Sequence, residues 1–461
     1  MANEIIVGLD IGTTKIACFV GMRGENGRVK ILGFGKTESL GVEHGVVKGI
    51  TQTADSITRA VNEAADQAGV DIDEVWVGIA GQHIKSRPSQ GSVMIPQDHV
   101  LIEKEDVERL IGDQYNTMLD PGEEIIHIFP QQYYVDREAL SREIPPVGVA
   151  GKTLSADFHM VTGNVQNLQY IKLAVERAGL KIKGVVLEPV ASSLAVLDDS
   201  DRDAGVAMVD IGGGTTDIAI FHDGIIRHTS VLPLAGNAIT NDIREGCNIL
   251  RRQAESLKVK FGSCLVQAVS ENDVISIPGI RSQQPREIYV KTLAGIINAR
   301  TKMIMEQVDY EIKLSGFGKK LIAGVVLTGG GAQLKNIKEL CELITATDTR
   351  IGIPNEHLDP ESISYTDLMH PMYATGIGLV LYGLEQTENK HDAASQEEEN
   401  STSDGKFDIF ADMDTAPASQ ASVADDSQEA EKPKKPVKPK KNFGDEVSNW
   451  LGKLFNEGLD E

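Results

Sequence analysis

The sequence predicts an α/β fold composed of two similar halves. Up to about Gln386, short runs rich in valine and isoleucine alternate with longer segments of helical periodicity, and glycine and proline mark the breaks. The second observation is an internal sequence repeat: Val7–Lys15 (VGLDIGTTK) resembles Met208–Asp217 (MVDIGGGTTD). Two such strand–turn–strand segments in one chain predict two similar domains.

Strands and helices can be placed from these patterns. The runs IIVGLDIG, VWVGIAG, VAMVDIGGG and GVVLTGGG are β-branched and end in glycines, as expected for buried strands that lead into loops. Length and a period of about 3.6 residues predict helices at Thr51–Ala68, Val165–Ala178, Glu188–Leu197 and Leu293–Ile312.

Composition excludes several classes of protein. The formal charge of −23 over 461 residues argues against a large nucleic-acid surface, which needs clustered lysine and arginine, so no nucleic-acid partner is expected. The four cysteines lie far apart with no CxxC pair, which indicates neither a disulfide framework nor a zinc site. There is no apolar run of membrane-spanning length and no signal-peptide pattern at the start, so any membrane contact is expected to be peripheral.

The last part of the chain has a different composition. Residues 387–431 carry 13 Asp and Glu against 2 Lys, and residues 432–441 contain six lysines among prolines, so we predict a disordered linker over 387–441. Residues 442–461 are predicted to form an amphipathic helix, whose single apolar stripe consists of Phe443, Val447, Trp450, Leu451, Leu454 and Phe455.

Two interpretations of this terminal helix stay open. Tryptophan suits the headgroup boundary of a membrane, and the preceding lysines would attract anionic lipids. Against this, the polar face of the helix is acidic, so docking into a protein groove is the alternative.

Three glycine loops carry the chemistry. Backbone N–H groups of glycine and hydroxyl groups of threonine can bind phosphate oxygens, and carboxylates at strand ends suit a divalent ion. An ordinary turn is the alternative for each loop taken alone. The Walker A and dinucleotide patterns are both excluded, because the required glycines are missing. The candidate phosphate-binding residues are Gly12, Thr13, Thr14 and Lys15 in the first loop and Gly212, Gly213, Gly214, Thr215 and Thr216 in the second, with Asp10 and Asp210 as metal candidates and Gly329, Gly330 and Gly331 in the third loop.

These motifs resemble the phosphate-1, phosphate-2 and adenosine motifs of the actin, sugar-kinase and heat-shock-chaperone superfamily. Within it, residues 1 to about 386 resemble the FtsA family of bacterial cell-division proteins, on further matches at Glu188–Ser192 (EPVAS), Ala254–Lys258 (AESLK) and Tyr373–Gly378 (YATGIG). The resemblance implies an actin-like two-domain ATPase fold with an inserted 1C subdomain, followed by a disordered linker and a C-terminal amphipathic helix.

The resemblance implies ATP and Mg²⁺ as cofactors in a cleft between the halves. Asp10 and Asp210 would hold the magnesium through water, and Glu188 would orient attacking water. Glu255 and Lys258 would reach the adenosine, with Gly329–Gly331 under the base. A helix N-terminal carboxylate is the alternative for Glu188, and an ordinary ion pair is the alternative for Glu255 and Lys258.

The resemblance also implies a subdomain plan and partners. Subdomain 1C is expected to serve self-association and contact with later division proteins, or to be purely architectural. Subdomain 2B is expected to bind the C-terminal peptide of FtsZ through Arg286, Asn298 and Arg300, although solvated surface side chains are the alternative. The predicted borders are 1–84, 164–197 and 363–386 for 1A, 85–163 for 1C, 198–240 and 300–362 for 2A, 241–299 for 2B, 387–441 for the linker and 442–461 for the helix.

The expected function is an ATP-binding scaffold with at most slow ATPase activity. It would polymerise on the cytoplasmic face of the bacterial membrane at the division site, anchor the FtsZ ring through anionic lipids, and recruit later division proteins. A soluble small-molecule kinase of the same superfamily is the main alternative, but the sequence has no sugar-binding signature and a kinase would leave the tail unexplained. A chaperone ATPase would need a peptide-binding β-domain where the acidic linker lies.

Overall fold

Two five-stranded β-sheets with the same strand plan organise the chain. The structure is a computed structural model that describes residues 4–96, 100–278 and 284–403, with side chains described as far as residue 388. The elements of the first half are β1 (Ile6–Ile11), β2 (Lys15–Arg23), β3 (Val29–Glu38), β4 (Val42–Glu43), β5 (Val46–Val47), α1 (Ile50–Ala68), β6 (Glu74–Ile79), β7 (Lys85–Met94), α2 (Lys104–Gln114), β8 (Glu123–Val135), β9 (Glu138–Ala139), β10 (Thr153–Asn164), α3 (Val165–Arg177), β11 (Lys181–Leu187) and α4 (Glu188–Val196).

The second half repeats the plan and adds helices. Its elements are α5 (Asp199–Ala204), β12 (Val206–Ile211), β13 (Thr216–His222), β14 (Ile225–Leu232), α6 (Gly236–Cys247), α7 (Arg251–Phe261), β15 (Val274–Ile277), β16 (Arg286–Tyr289), α8 (Val290–Leu314), β17 (Val325–Thr328), α9 (Ile337–Thr345), β18 (Thr349–Ile351), α10 (Tyr365–Leu368) and α11 (Ala374–Ser403).

The strand orders show that the two halves that share the sequence repeat also share the same sheet topology. The first sheet runs β3-β2-β1-β6-β11 and the second runs β14-β13-β12-β17-β18. In each sheet three antiparallel strands are followed by two strands that pair in parallel. The two predicted Asp-Ile-Gly segments form the equivalent hairpins β1–β2 and β12–β13, so the predicted α/β fold of two similar halves is confirmed.

The hydrophobic core holds α4 and α11 against both sheets. One apolar cluster joins Phe19 of the first sheet and Met208 of the second to Ala191 of α4 and Ile377 of α11. A second cluster lies between the first sheet and helices α1 and α3, and a third lies between the second sheet and helices α6 to α9. The halves are therefore connected through two helices that both sheets bury.

A separate four-stranded sheet interrupts the first half between β6 and α3. Its order is β7-β10-β8-β9, and Phe158 and Leu154 belong to its own small core with Leu110 of α2. Several polar contacts tie it to the second half; for example, Ser86 Oγ donates to the Thr229 carbonyl (2.8 Å), and Gln131 Nε2 donates to the Ile226 carbonyl (2.8 Å).

The four predicted helices are confirmed as α1, α3, α4 and α8, with ends that differ by at most three residues. The subdomain borders after residues 240 and 299, which the family resemblance implied, fall inside α6 and α8. The structure therefore has no break at either position.

Helix α11 runs past the predicted start of the linker at residue 387 and ends at Ser403. Residues 387–403 contain neither glycine nor proline, and four of them are glutamate, which favours a helix. The chain divides into one unit from Met1 to Glu385 and a second from Gln386 onward. The remaining predicted linker, 404–441, and the predicted terminal helix lie outside the described residues. Of the helices that are described, none is both long and apolar enough to cross a membrane.

Gly378 permits the close packing of α4 on α11. We therefore predict that a larger residue at this position lowers the stability of the protein. A Cβ on Gly378 would lie 1.8 Å from the carbonyl oxygen of Ala191, so Gly378→Ala forces the two helices apart. Overpacking costs about 1–3 kcal/mol against a helix-propensity gain of about 1 kcal/mol, so we expect the free energy of unfolding to fall. Urea denaturation followed by circular dichroism measures it.

The matched control is Gly295→Ala in α8, where an added Cβ meets no atom within 4 Å. This variant should raise the free energy of unfolding by about 0.5–1 kcal/mol, because alanine favours the helix. A Gly378→Ala protein as stable as the Gly295→Ala protein would contradict the close packing of α4 on α11.

Candidate functional site

The turns of the two equivalent hairpins lie directly opposite each other. Each turn begins after the second of two strand-end residues, Asp-Ile, so both carboxylates lie at the carboxyl end of their strands. A Cβ on Gly213 would lie 2.3 Å from Cγ2 of Thr14, and one on Gly214 would lie 2.4 Å from Oγ1 of Thr13. Only glycine lets the second turn approach the first this closely.

A cavity of about 700 Å³ opens beside these turns. Its wall includes residues from all three glycine loops and from helices α4 and α7, so the fold brings together most of the predicted site. The predicted residues that line it are Asp10, Gly12, Thr13, Thr14, Lys15, Glu188, Asp210, Gly212, Gly213, Gly214, Thr215, Glu255, Lys258, Gly329, Gly330 and Gly331.

Thr216 is the exception among the predicted phosphate-binding residues. It is the first residue of β13 and is fully buried, and its Oγ1 donates to the carbonyl of Leu234 (2.7 Å). Because side chains alternate along a strand, Thr216 and its neighbour Asp217 point to opposite faces of the sheet. Thr216 therefore does not line the cavity, whereas Asp217 does.

The two strand-end aspartates have different partners. Lys15 Nζ donates to Asp10 Oδ2 at 2.5 Å. Asp210 Oδ2 instead accepts from Ser192 Oγ (2.6 Å) on α4 and Thr375 Oγ1 (3.2 Å) on α11. The two helices that both sheets bury therefore hold the second aspartate in place.

Burial and mutual repulsion shift the pKa values of this cluster. Burial, together with the neighbouring Asp10 and Asp217, raises the pKa of Glu188 well above its usual range. Burial and the nearby Asp210 raise the pKa of Asp217 to about 8. For Lys15, burial alone would lower the pKa, but Asp10 more than offsets this and the pKa is raised. This environment thus favours the protonated form of both carboxyl groups.

The cluster fits a divalent cation and a polyphosphate. Lys15 pairs with Asp10, but no described ammonium or guanidinium group forms an ion pair with Glu188, Asp210 or Asp217, and Asp217 Oδ1 is buried without a hydrogen-bond partner. Carboxylate oxygens are the ligands that Mg²⁺ prefers. Among the described residues no three such side chains are placed to hold a metal by themselves, so water and phosphate oxygens would complete the coordination.

The far side of the cavity has a different character. Glu255 and Lys258 form an i,i+3 ion pair on α7 (2.9 Å), and Thr240 Oγ1 donates to Glu255 Oε2 (2.5 Å). Both residues line the cavity with Val259 and Phe261, which are largely exposed, and with the loop after β17 that begins at Gly329. This wall offers apolar contacts and polar groups to a flat ring.

Sequence reasoning missed several residues of the site. Asp217 stands at the end of the second repeated segment, and Ser192 lies one helical turn after Glu188 on α4, so strand alternation and helical spacing were available signals. Thr375 lies within the YATGIG match. Asn237 and Phe261 also line the cavity, but no motif marked them.

The three candidate peptide-binding residues all make hydrogen bonds within the chain. Arg300 forms two hydrogen bonds with the carboxylate of Asp242 (2.6 and 2.9 Å), whereas Asn298 donates to the carbonyl of Cys264 (2.6 Å). Arg286 is exposed and donates to the carbonyls of Cys247 and Asn248 at the end of α6. Each side chain thus has a partner within the chain.

Comparisons with known proteins agree with this fold. Residues 207–378 match the family model of cell division protein FtsA, residues 81–162 match the SHS2 domain inserted in FtsA, and residues 164–230 match Hsp70 protein. In the PilM–PilN type IV pilus biogenesis complex, a solved chain with 16% identity superimposes with a TM-score of 0.59, covering 82% of this chain and 98% of that chain.

Relatives of known name are closer in sequence. Cell division protein FtsA of Pseudomonas aeruginosa is 37% identical over 386 residues, covering 84% of this chain and 90% of the relative. FtsA of Neisseria meningitidis is 37% identical over 373 residues, with 81% and 88% covered. The fold and the paired hairpins define an actin-like ATPase-type protein. Within that class, the chain belongs to the FtsA family of cell division proteins, as its motifs predicted.

The raised pKa of Asp217 predicts how stability depends on pH. Its folded-state pKa of about 8 exceeds the usual value of 3.8, so the folded protein binds this proton more tightly than the unfolded chain. Stability without metal or nucleotide should therefore fall as pH rises from about 4 to about 8, by at most about 1.4 kcal/mol per pH unit from this group.

Asp217→Asn should remove this part of the slope and leave the protein more stable than the parent at pH 8. Urea denaturation in EDTA between pH 5 and 9 measures the effect. Asp55→Asn, on the exposed face of α1, is the control and should keep the parental slope. An unchanged slope in Asp217→Asn would show that this carboxyl ionises in the folded protein as it does in the unfolded chain.

Proposed function

We propose that the cleft binds ATP together with Mg²⁺. The observation that carries this proposal is the pair of equivalent glycine turns that meet across the cavity, one from each half. Turns of this type present backbone N–H groups to an anion, and a cavity of about 700 Å³ is within the usual range for small-molecule sites. The family's Hsp70-like and actin-like character supports nucleotide as the ligand.

Each half would contribute its own turn to the phosphates. Gly12, Thr13 and Thr14 with Lys15 would bind them from the first half, and Gly212–Thr215 would bind them from the second. The ammonium group of Lys15 lies beside Asp10, so it would serve both the carboxylate and a phosphate oxygen. At the other end, Gly329–Gly331 and Phe261 would contact the base, and Glu255 and Lys258 would bind the adenosine.

Asp10 and Asp210 would hold the metal through water, and Asp217 would add a third carboxyl group. A bound Mg²⁺ would neutralise phosphate charge and polarise the terminal phosphate. Glu188 is the candidate to orient attacking water, and burial beside Asp10 and Asp217 raises its pKa in the cleft without ligand.

We propose further that the protein is a scaffold of cell division that polymerises on the cytoplasmic face of the membrane. ATP would hold the two halves together and so favour head-to-tail filaments, and filaments would multiply weak membrane contacts. The inserted sheet supports self-association and contact with later division proteins. It and its adjoining loops expose Met94, Val100, Leu101, Ile144 and Val147. Backbone hydrogen bonds of Ile102 with Gly148 and Val149 bring two of these loops together, and clustered exposed apolar residues mark interaction surfaces.

The remaining partners follow from the family and from the sequence. The C-terminal peptide of FtsZ would bind near Arg286, the exposed member of the three candidates, while Asn298 and Arg300 would shape the site through their contacts within the chain. The apolar stripe from Phe443 to Phe455 and the lysines before it would anchor the filament, and thereby the FtsZ ring, to anionic lipids.

The contact between the two turns predicts the effect of a single methyl group on nucleotide binding. Gly213→Ala would place a Cβ 2.3 Å from Thr14 and hold the turns apart. Steric penalties of this kind reach about 1–3 kcal/mol, so the affinity for Mg-ATP should fall about tenfold, as measured by calorimetric titration. Gly295→Ala, in open space on α8, should bind like the parent. Parental affinity in Gly213→Ala would argue against phosphate binding by these turns.

Flotation with anionic liposomes tests the scaffold. The full chain should float with the vesicles, and Mg-ATP should produce filaments in the lipid fraction visible by electron microscopy. A chain that ends at Lys441 should remain in solution, because it lacks the apolar stripe. If both chains remain in solution, the tail is a protein-docking helix; if the full chain floats without filaments, polymerisation is not nucleotide-dependent.

A further inference from the structure

A short β-hairpin, β4–β5, brings its tip to both phosphate turns. The hairpin tip, His44–Gly45, has left-handed backbone at both residues (φ 48° and 73°). The Gly45 N–H donates to Thr13 Oγ1 (3.0 Å) in the first turn, and His44 Nδ1 lies 3.2 Å from the carbonyl oxygen of Gly214 in the second. Because a carbonyl oxygen only accepts, Nδ1 carries the proton, and the imidazole donates from one half of the molecule to the other.

The hairpin tip also packs against the chain that enters the inserted sheet. A Cβ on Gly45 would lie 2.9 Å from Cα of Gly81, so the two glycines are in backbone contact. Gly81 has φ 126° and its carbonyl accepts from the N–H of Ile84 (3.0 Å). This turn leads directly into β7, the first strand of the inserted sheet.

The other root of the inserted sheet lies close to the same turn. A Cβ on Gly163, near the end of β10, would contact Ile126 of β8 and Ile84. Both isoleucines pack against the core between the first sheet and helices α1 and α3. A displacement of the turn at Gly81 would therefore act on β7, β8 and β10 together.

Backbone contacts make this connection stiff. Gly45 and Gly81 meet backbone to backbone, because neither has a side chain, and the imidazole of His83 packs beside the same contact. At its other end the tip touches both phosphate turns, and Gly45 and Ala80 line the cavity with them. A ligand that binds between the turns and displaces them would therefore also displace the hairpin tip, the turn at Gly81 and the strands of the inserted sheet that follow it.

We propose that the hairpin tip positions the second phosphate turn for nucleotide and relays occupancy of the cleft to the inserted sheet. His44 is the positioning residue at the cleft, and the contact between Gly45 and Gly81 is the relay. The inference rests on the proposed binding of Mg-ATP, and it deepens that proposal by assigning a route from the nucleotide to the surface that carries the apolar patch.

The test combines Mg-ATP titration with amide hydrogen exchange of the full chain. In the parent, saturating Mg-ATP should slow exchange in β7 and β10. His44→Ala should weaken Mg-ATP binding about fivefold, the effect of one net hydrogen bond, and should abolish the slowing in β7 and β10 even at saturating nucleotide.

Two further variants separate the relay from a general loss of structure. His44→Asn should restore both readouts, because the asparagine amide N–H occupies the position of Nδ1 and asparagine tolerates left-handed backbone. Glu43→Ala, exposed on the same hairpin and without a described side-chain partner, should behave as the parent.

The outcomes distinguish this inference from the function on which it rests. A parent that binds no Mg-ATP would overturn the proposed function and the relay with it. A parent that binds Mg-ATP without slower exchange in the inserted sheet would overturn the relay alone. Nucleotide-dependent slowing that survives in His44→Ala at saturation would also overturn it, as would equal losses in Glu43→Ala.

Discussion

Buried negative charge at the meeting point of the two halves is the constraint on which the rest of this structure depends. Asp10, Asp210, Glu188 and Asp217 all line one cavity, and among the described residues Lys15 forms an ion pair with the first of them. Uncompensated buried charge is expensive, so the chain must keep protons on some of these groups or receive a cation. The fold tolerates the arrangement because α4 and α11 are themselves buried by both sheets and hold Ser192 and Thr375 as donors to Asp210.

The second requirement is glycine at several positions, because the site needs segments of backbone to pack closely against other parts of the chain with no side chain between them. The phosphate turns approach each other at Gly213 and Gly214, and α4 meets α11 at Gly378, where an added Cβ would overlap a carbonyl oxygen. The same helix α4 begins with Glu188 and carries Ser192 one turn later. Close packing of this helix therefore sets the position of two side chains in the cleft, which links a packing constraint in the core to the chemistry of the site.

The fold and most of the cleft could be predicted from the sequence because both depend on patterns among residues that are close together in the chain. Strand runs that end in glycine and the repeated Asp-Ile-Gly segment depend on neighbouring residues, and the residues that they single out, Asp10, Asp210 and the three loops, line one cavity. What it could not predict depends on distance in the chain. The pairing of Arg300 with Asp242 joins α8 to α6, and the contacts of His44 with Gly214 and of Gly45 with Gly81 join segments far apart. Thr216 was misplaced because a motif does not state which face of β13 a residue occupies.

The equivalent hairpins differ in one respect that decides where a cation would bind. The residue opposite Asp10 across the first hairpin is Ala17, whereas the residue opposite Asp210 across the second is Asp217. Cross-strand partners share a face of the sheet, and like charges there repel. In the first half Lys15 forms an ion pair with Asp10, so the charges there balance locally. In the second half, no described lysine or arginine side chain forms an ion pair with either of the two carboxyl groups. The demand for positive charge therefore comes from the second half. In the proposed ATP site the first half would supply an ammonium group to the phosphates, and a metal–polyphosphate complex would satisfy both requirements.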